Sequence, residues 1–342
     1  VEKENEIQKL QLGEEQAKSK IQQYVIVFFA VLLVLILIFS LALFKLYKEK
    51  KQANNELKQL NAEILQQKEE IQAQAENLNE AYQKISLFNE QIKSSIRYGC
   101  TIQQAMLPYE STINDLFNNF VIYKPKDIVS GDFYWVNRVD GSRYIAVVDC
   151  TGHGVPGAFM SMIGISLLEE IIIAKRILNP KDILEKLNES IILALNQTKT
   201  NNTDGMDVCL CKIDDIDNDN FNITFAGAKR DLLYSETITN SFMKFKGTRR
   251  SIGGYKSRNK LPFTQEEKNL KKETKLILFS DGIVDQNNFN REKFGANRFL
   301  KILNNSINNS LAEIKSNLEI ELHEFQRSEF QRDDITIVGI KL

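Results

Sequence analysis

The chain has 342 residues, enough for two or more structural units. Its 44 basic and 45 acidic residues leave a net charge of −1, which argues against a nucleic-acid footprint spread over the whole molecule. Two histidines, His153 and His323, and four cysteines without a C-x-x-C pair argue against a zinc centre or a disulfide framework, so any catalytic centre rests mainly on carboxylates.

Residues 24–44, YVIVFFAVLLVLILIFSLALF, form a run of 21 without a charge. As a helix such a run crosses the roughly 30 Å hydrocarbon core of a bilayer. Its uniformity argues against a buried core helix. Its late start and the lack of a small-residue cleavage site argue against a signal peptide. Lys45, Lys48, Lys50 and Lys51 follow it, against Lys18 and Lys20 before it. The positive-inside rule then places the C-terminal side in the cytoplasm. The expectation is a single-pass protein of the cell inner membrane. Residues 1–23 become a juxtamembrane segment, readable as the end of an upstream sensor domain, and the opening Val1 suits a piece of a longer protein.

Residues 45–98 are polar and free of proline and glycine. Leu57, Ile64, Ile71, Leu78, Ile85 and Ile92 recur every seven residues, with Leu60, Ala81 and Phe88 three positions after members of that series. This repeat predicts a coiled coil with a linker helix, and so a homodimer. Gln67 and Gln74 weaken the second seam position. A lone amphipathic helix is the alternative, and a marginal seam suits pairing that can change.

From residue 99 to 342 the apolar runs are short and β-branched. YIAVVD (144–149), MDVCLCKI (206–213), FNITFAG (221–227), LILFSD (276–281) and ITIVGIKL (335–342) predict strands. Helical patterns cover Gly157–Ile177, Pro180–Leu195 and Leu311–Phe325. Strands and helices in blocks predict one α+β layered domain.

Aspartates stand at strand ends or turns in SGDFYW (Asp132), VVDCTGHG (Asp149), LFSDG (Asp281) and QRDDITIV (Asp333, Asp334). Taken singly, each reads as an ordinary turn residue. If the strands converge, two carboxylates about 4 Å apart repel by roughly 4 kcal/mol at an effective dielectric of 20, and several together need a cation. Hard oxygen donors select Mg²⁺ or Mn²⁺, and two such ions would activate a water and clamp a phosphoryl group.

Other patterns carry less. GHGVPG matches G-x-G-x-x-G at 152–157, but its aspartate precedes the glycines, so a tight turn and close helix approach fit better than a dinucleotide cradle. IDDIDNDNF (213–221) has Asn220 and Ala226 where a calcium loop counted from Asp215 needs glycine and glutamate. Trp135 reads as packing, and Arg249 and Arg250 as a solvated pair that could touch a phosphoprotein. A sensor kinase fails because His323 leaves no room for an ATP-binding domain after it. A diguanylate cyclase fails because SGDFYW lacks the paired acids.

SGDFYW, DCTGHGVPGAFMS, FAGAKRDLLY, LFSDGIVD and RDDITIV occur in this order over about residues 100–342. Together they resemble the SpoIIE-like branch of the PPM (protein phosphatase 2C type) metal-dependent serine/threonine phosphatases. The resemblance implies an α+β fold, a PPM-type β-sandwich flanked by helices, with two Mn²⁺ or Mg²⁺ ions at one end. It implies that Asp132 serves one ion, that Asp149 bridges both, and that the Cys150 carbonyl completes the second site. It implies that Asp281 and Asp333 hold the first. Asp334 is then a supporting residue, or the ligand itself if the register shifts by one. Cys150 stands where relatives often carry glycine, and a carbonyl ligand does not require one. His153 lies four residues after Asp149, where eukaryotic relatives place a histidine two after, and reads as a turn or supporting residue.

The implied activity is hydrolysis of phosphoserine or phosphothreonine, with a phosphorylated STAS-type anti-sigma-factor antagonist as substrate by family analogy. A pseudophosphatase that only binds a phosphoprotein is the alternative. IQQAMLP (102–108) resembles the family helix that can act as a switch, so rotation of this helix is expected to order the metal site.

Overall fold

In the computed structural model, which describes residues 1–236, 239–254 and 261–342, the chain divides into two units, Val1–Phe88 and Asn89–Leu342. The first belongs to helix α1, which runs without a break over Glu2–Met106 and whose end supplies the start of the second unit. No proline occurs before Pro108, and the residue preceding a proline resists helical dihedrals, so the helix stops there. Every side chain of residues 24–44 is exposed, as are the heptad residues Leu57, Ile64, Ile71 and Leu78. Besides this helix, one other described stretch, Gly154–Ala174, is long and apolar enough to cross a membrane, and half of it is buried in the second unit.

The second unit continues with α2 (Glu110–Leu116), β1 (Asn118–Lys124), β2 (Asp132–Val139), β3 (Ser142–Cys150) and α3 (Gly154–Glu169). A π-helical turn, Glu170–Ala174, prolongs α3. There follow α4 (Pro180–Ala194), β4 (Gly205–Asp215), β5 (Asn220–Ala228), β6 (Leu232–Glu236), β7 (Ser241–Phe245) and β8 (Ile252–Gly253). The remainder is β9 (Gln265–Lys271), β10 (Lys275–Phe279), α5 (Gly282–Asp285), α6 (Ala296–Asn305), α7 (Leu311–Gln326) and β11 (Ile335–Lys341).

Two antiparallel sheets result. One has the order β1-β11-β10-β6-β7, the other β2-β3-β4-β5-β9 with β8 paired to β4. The near-continuous apolar runs of β3 and β4 follow from burial on both faces. Ile145, Val147, Cys209 and Cys211 turn toward the other sheet. Tyr144, Ala146, Val208 and Leu210 turn toward Leu168, Ile183 and Leu187 of α3 and α4. On the far side, Phe120, Ile277 and Ile337 pack under Phe299, Ile314 and Leu318 of α6 and α7. The layers therefore run helix, sheet, sheet, helix, and each fully buried aliphatic side chain contributes about 1.5–3 kcal/mol of transfer free energy.

All five expected strands and three expected helices form. The strands β1, β2, β6, β7, β8 and β9 were not expected. QEEKNLK is an edge strand with a largely exposed surface, so its apolar content is low.

Helix α3 meets the loop before β2 backbone to backbone. A methyl group on Gly157 would lie 2.7 Å from the Gly131 Cα and would overlap the Gly152 carbonyl oxygen. Gly157→Ala is expected to cost about 1–3 kcal/mol, read as a fall of several degrees in the calorimetric midpoint.

Candidate active site

The site begins as a row across one sheet. Asp132 at the start of β2 lies opposite Asp149 on β3, and Asp149 lies opposite Asp207 on β4. Residues directly opposite in antiparallel strands share a face, so the three carboxylates line up side by side. The other sheet delivers Asp281 just after β10 and Asp334 just before β11.

Arg230, in the turn between β5 and β6, joins the two sets. Its Nη2 donates to Asp149 Oδ2 at 2.6 Å, to Asp281 Oδ2 at 2.6 Å and to Asp207 Oδ2 at 3.2 Å. Ser251 Oγ donates to the other oxygen of Asp207 at 2.6 Å. Among the described residues, no group of three or more His, Cys, Asp or Glu side chains is arranged to hold a metal ion as it stands.

The electrostatics are those of a crowded acidic cluster. Asp132 is fully buried, and burial followed by the Asp149 charge pushes its carboxyl well above the usual range. Among the described residues its Oδ2 is buried without a hydrogen-bond partner, while the nearby Ser280 and Thr336 hydroxyls pull the carboxyl part of the way back down. Burial also raises Asp149 to about 8, with Arg230 pulling it down and Asp281 pushing it up. An orphaned buried carboxylate oxygen beside acids that hold their protons this tightly fits a site built to take a cation.

Asp334 has a different place. Its Oδ1 accepts from the Lys126 N–H at 2.7 Å and its Oδ2 from the Gly131 N–H at 2.6 Å, so both oxygens clamp the loop that leads into Asp132. Asp333 is half-buried, and its Oδ1 accepts from the Asp334 N–H at 3.0 Å. Cys150 is buried with its thiol pushed well up by burial, and its N–H donates to the Gly131 carbonyl at 3.3 Å. His153 is 47% exposed. It bridges Lys126 Nζ and Asp127 Oδ2, at 2.8 Å to each.

Three functional candidates escaped the sequence reading. Asp207 carried a signal, since an acid inside the apolar run MDVCLCKI faces burial unless it has a partner. Arg230 sits in a quoted motif, yet nothing in its neighbours marks it. Gln103, buried on the last turns of α1, donates to the Ser130 carbonyl at 2.6 Å and to Ser161 Oγ at 2.8 Å, and accepts from the Ser130 N–H at 3.1 Å. It ties α1 to the residues just before Asp132.

The model of the stage II sporulation protein E (SpoIIE) family matches residues 140–342. The chain belongs to the SpoIIE family. Phosphoserine phosphatase RsbU of Bacillus subtilis (strain 168) is 23% identical over 268 residues, which are 77% of this chain and 74% of that one. The solved SiaA-PP2C domain of Pseudomonas aeruginosa is 31% identical, with a TM-score of 0.65 over 74% of this chain and 98% of that one. The PP2C phosphatase domain of SpoIIE from Bacillus subtilis, solved with a fragment of its regulatory domain, shares the fold at 21% identity. Its TM-score is 0.52, over 66% of this chain and 62% of that one. The fold is therefore the PP2C-like α+β arrangement, and the SpoIIE-family domain has the catalytic class of a serine/threonine phosphatase. Asp132 lies upstream of the matched stretch but is paired, strand to strand, with Asp149 inside it.

Proposed function

We propose that this SpoIIE-family protein is a membrane-anchored signalling phosphatase that removes phosphate from phosphoserine or phosphothreonine of a protein substrate, at a site taking two Mn²⁺ or Mg²⁺ ions. The observation that carries the reading is the unpartnered, buried Asp132 Oδ2 beside Asp149. Asp132, Asp149, the Cys150 carbonyl, Asp281 and Asp333 are the residues that would hold the ions. When bound, the ions supply an activated water and positive charge for the phosphoryl oxygens. Asp132 and Asp149 would hold the ions as carboxylates, their protons given up. Asp334 holds the Lys126–Gly131 loop, and the Cys150 thiol stays protonated, leaving its carbonyl as the donor. The substrate class follows the family resemblance, a phosphorylated STAS-type anti-sigma-factor antagonist.

Residues 24–44 are the span, since exposed apolar side chains over this length suit lipid. Residues 45–98 pair two copies through their exposed heptad residues, and residues 99–342 form the cytoplasmic phosphatase domain. Rotation of α1 regulates the site through Gln103. Fixed-register zippers in place of residues 45–91 test this: activity should rise and fall with register, and equal activity in every register excludes it.

One observation favours a phosphoprotein-binding module without hydrolysis: the Arg230 guanidinium lies among the carboxylates. The deciding assay is Mn²⁺-dependent hydrolysis of p-nitrophenyl phosphate and a phosphoserine peptide by the unit from Asn89 onward, with Asp281→Asn alongside. Metal-dependent turnover that disappears in the variant is expected. A folded protein that binds the peptide without turnover selects the binding module, and one that binds no metal overturns the metal-dependent hydrolysis.

A further inference from the structure

Arg230 is built unlike a structural arginine. Such a residue uses its fork, two parallel N–H groups on one carboxylate, and satisfies its Nε. Here a single nitrogen, Nη2, serves Asp149, Asp281 and Asp207, while the buried Nε has no partner among the described residues. The side chain is 13% exposed and meets acids brought by both sheets. It acts as a point charge among carboxylates.

Its backbone is fixed. A Cβ added to Gly227 or to Gly247 would overlap the Arg230 carbonyl oxygen, so that carbonyl is packed between two glycine backbones. The Lys229 N–H donates to the Thr248 carbonyl at 2.8 Å and holds the turn. The guanidinium hangs from this anchor on a flexible stem, so it can swing while the turn stays in place.

Resting on the metal-site reading above, we propose that Arg230 is a built-in competitor of the divalent ion. Asp149 Oδ2 and Asp281 Oδ2, the oxygens it engages, are on two residues that reading assigns to the ions. Guanidinium and ion cannot use the same oxygens together. Asp207 is not among the assigned ligands, and its Oδ1 is already held by Ser251. It is the resting place for the displaced guanidinium, reached through the 3.2 Å contact present before displacement. The arrangement keeps the acidic cluster neutralised without metal and raises the metal concentration at which the site loads.

The test is Mn²⁺ binding by isothermal titration calorimetry on the full chain in detergent, for the parent protein, Arg230→Gln and Arg230→Lys. Thermal midpoints are measured with chelator and with Mn²⁺. Arg230→Gln should bind Mn²⁺ at least tenfold more tightly, have a lower midpoint in chelator, and gain more on adding Mn²⁺. Arg230→Lys, a shorter cation without the planar fork, should fall between and remains informative if the glutamine variant does not fold. A merely structural arginine predicts the opposite sign, weaker Mn²⁺ binding in both variants. Unchanged or weaker affinity in both overturns the competition and leaves the metal site standing. Absence of Mn²⁺ binding in all three proteins overturns the metal site and the competition together.

Discussion

Asp149→Asn should lower turnover by about three orders of magnitude or more while making the metal-free protein more stable at pH 8. The first effect follows from the place of Asp149 in the middle of the row, beside Asp132 and bonded through Arg230 to Asp281. The second follows from proton linkage. Burial, opposed by Arg230 and reinforced by Asp281, moves the carboxyl from its ordinary 3.8 to about 8. Between those values the folded protein holds a proton that the unfolded chain has released. Stability of the metal-free protein is therefore greatest below the lower value and is lost as pH rises toward the upper one. An asparagine has no proton to lose, so the variant should lose less stability over this range, keeping only the slope that Asp132 contributes. Urea unfolding with chelator at pH 5 and pH 8 measures it. Parallel losses in both proteins would mean that Asp149 ionises normally in the fold.

Asp334→Ala and Asp333→Ala should separate stability from chemistry. Removing the Asp334 carboxylate leaves the Lys126 and Gly131 N–H groups without their acceptor and frees the loop before Asp132. The expected loss is about 2–5 kcal/mol of stability, with activity falling alongside. Asp333 is half-buried and accepts one hydrogen bond from its neighbour's N–H. Its alanine variant should lose less than about 1 kcal/mol yet have little phosphatase activity left. Denaturant midpoints paired with phosphopeptide hydrolysis decide between them. The reverse pattern would make Asp334 the ligand and Asp333 the clamp.

This ambiguity shows where sequence reading reaches its limit. RDDITIV announces an acid pair at a strand start, but which of the two faces inward depends on the register of β11 between β1 and β10, set by residues far away. β3, β4 and β10 were legible because strands buried on both faces must be apolar throughout. The helical character of residues 24–98 was legible because no proline or glycine interrupts them, though their fusion into one helix with residues 2–23 and 99–106 was not read. β9 was hidden because an edge strand can afford polar side chains. His153 illustrates the converse: flanked by glycines in a suggestive motif, it lies in a solvent-facing chain with Lys126 and Asp127. Gln103 and Arg230 were invisible for a shared reason. Each is polar at a position whose burial arises from tertiary packing, and local pattern says nothing of that.

The central place of β11 also governs when the molecule can work at all. Lys124 pairs with Ile335, so β1 waits on the ribosome for a partner made much later, at about 5–20 residues per second. Until then β1 lacks its partner strand and β10 is paired on one side only, with β6, so the Asp281 turn after β10 is braced from one side. Loop closure over such a separation is slow to begin with. A growing chain thus passes through a long interval in which it is prone to pair with the wrong strand and is chemically silent. Both halves of the acidic cluster can come together only after β11 is made and enters between β1 and β10.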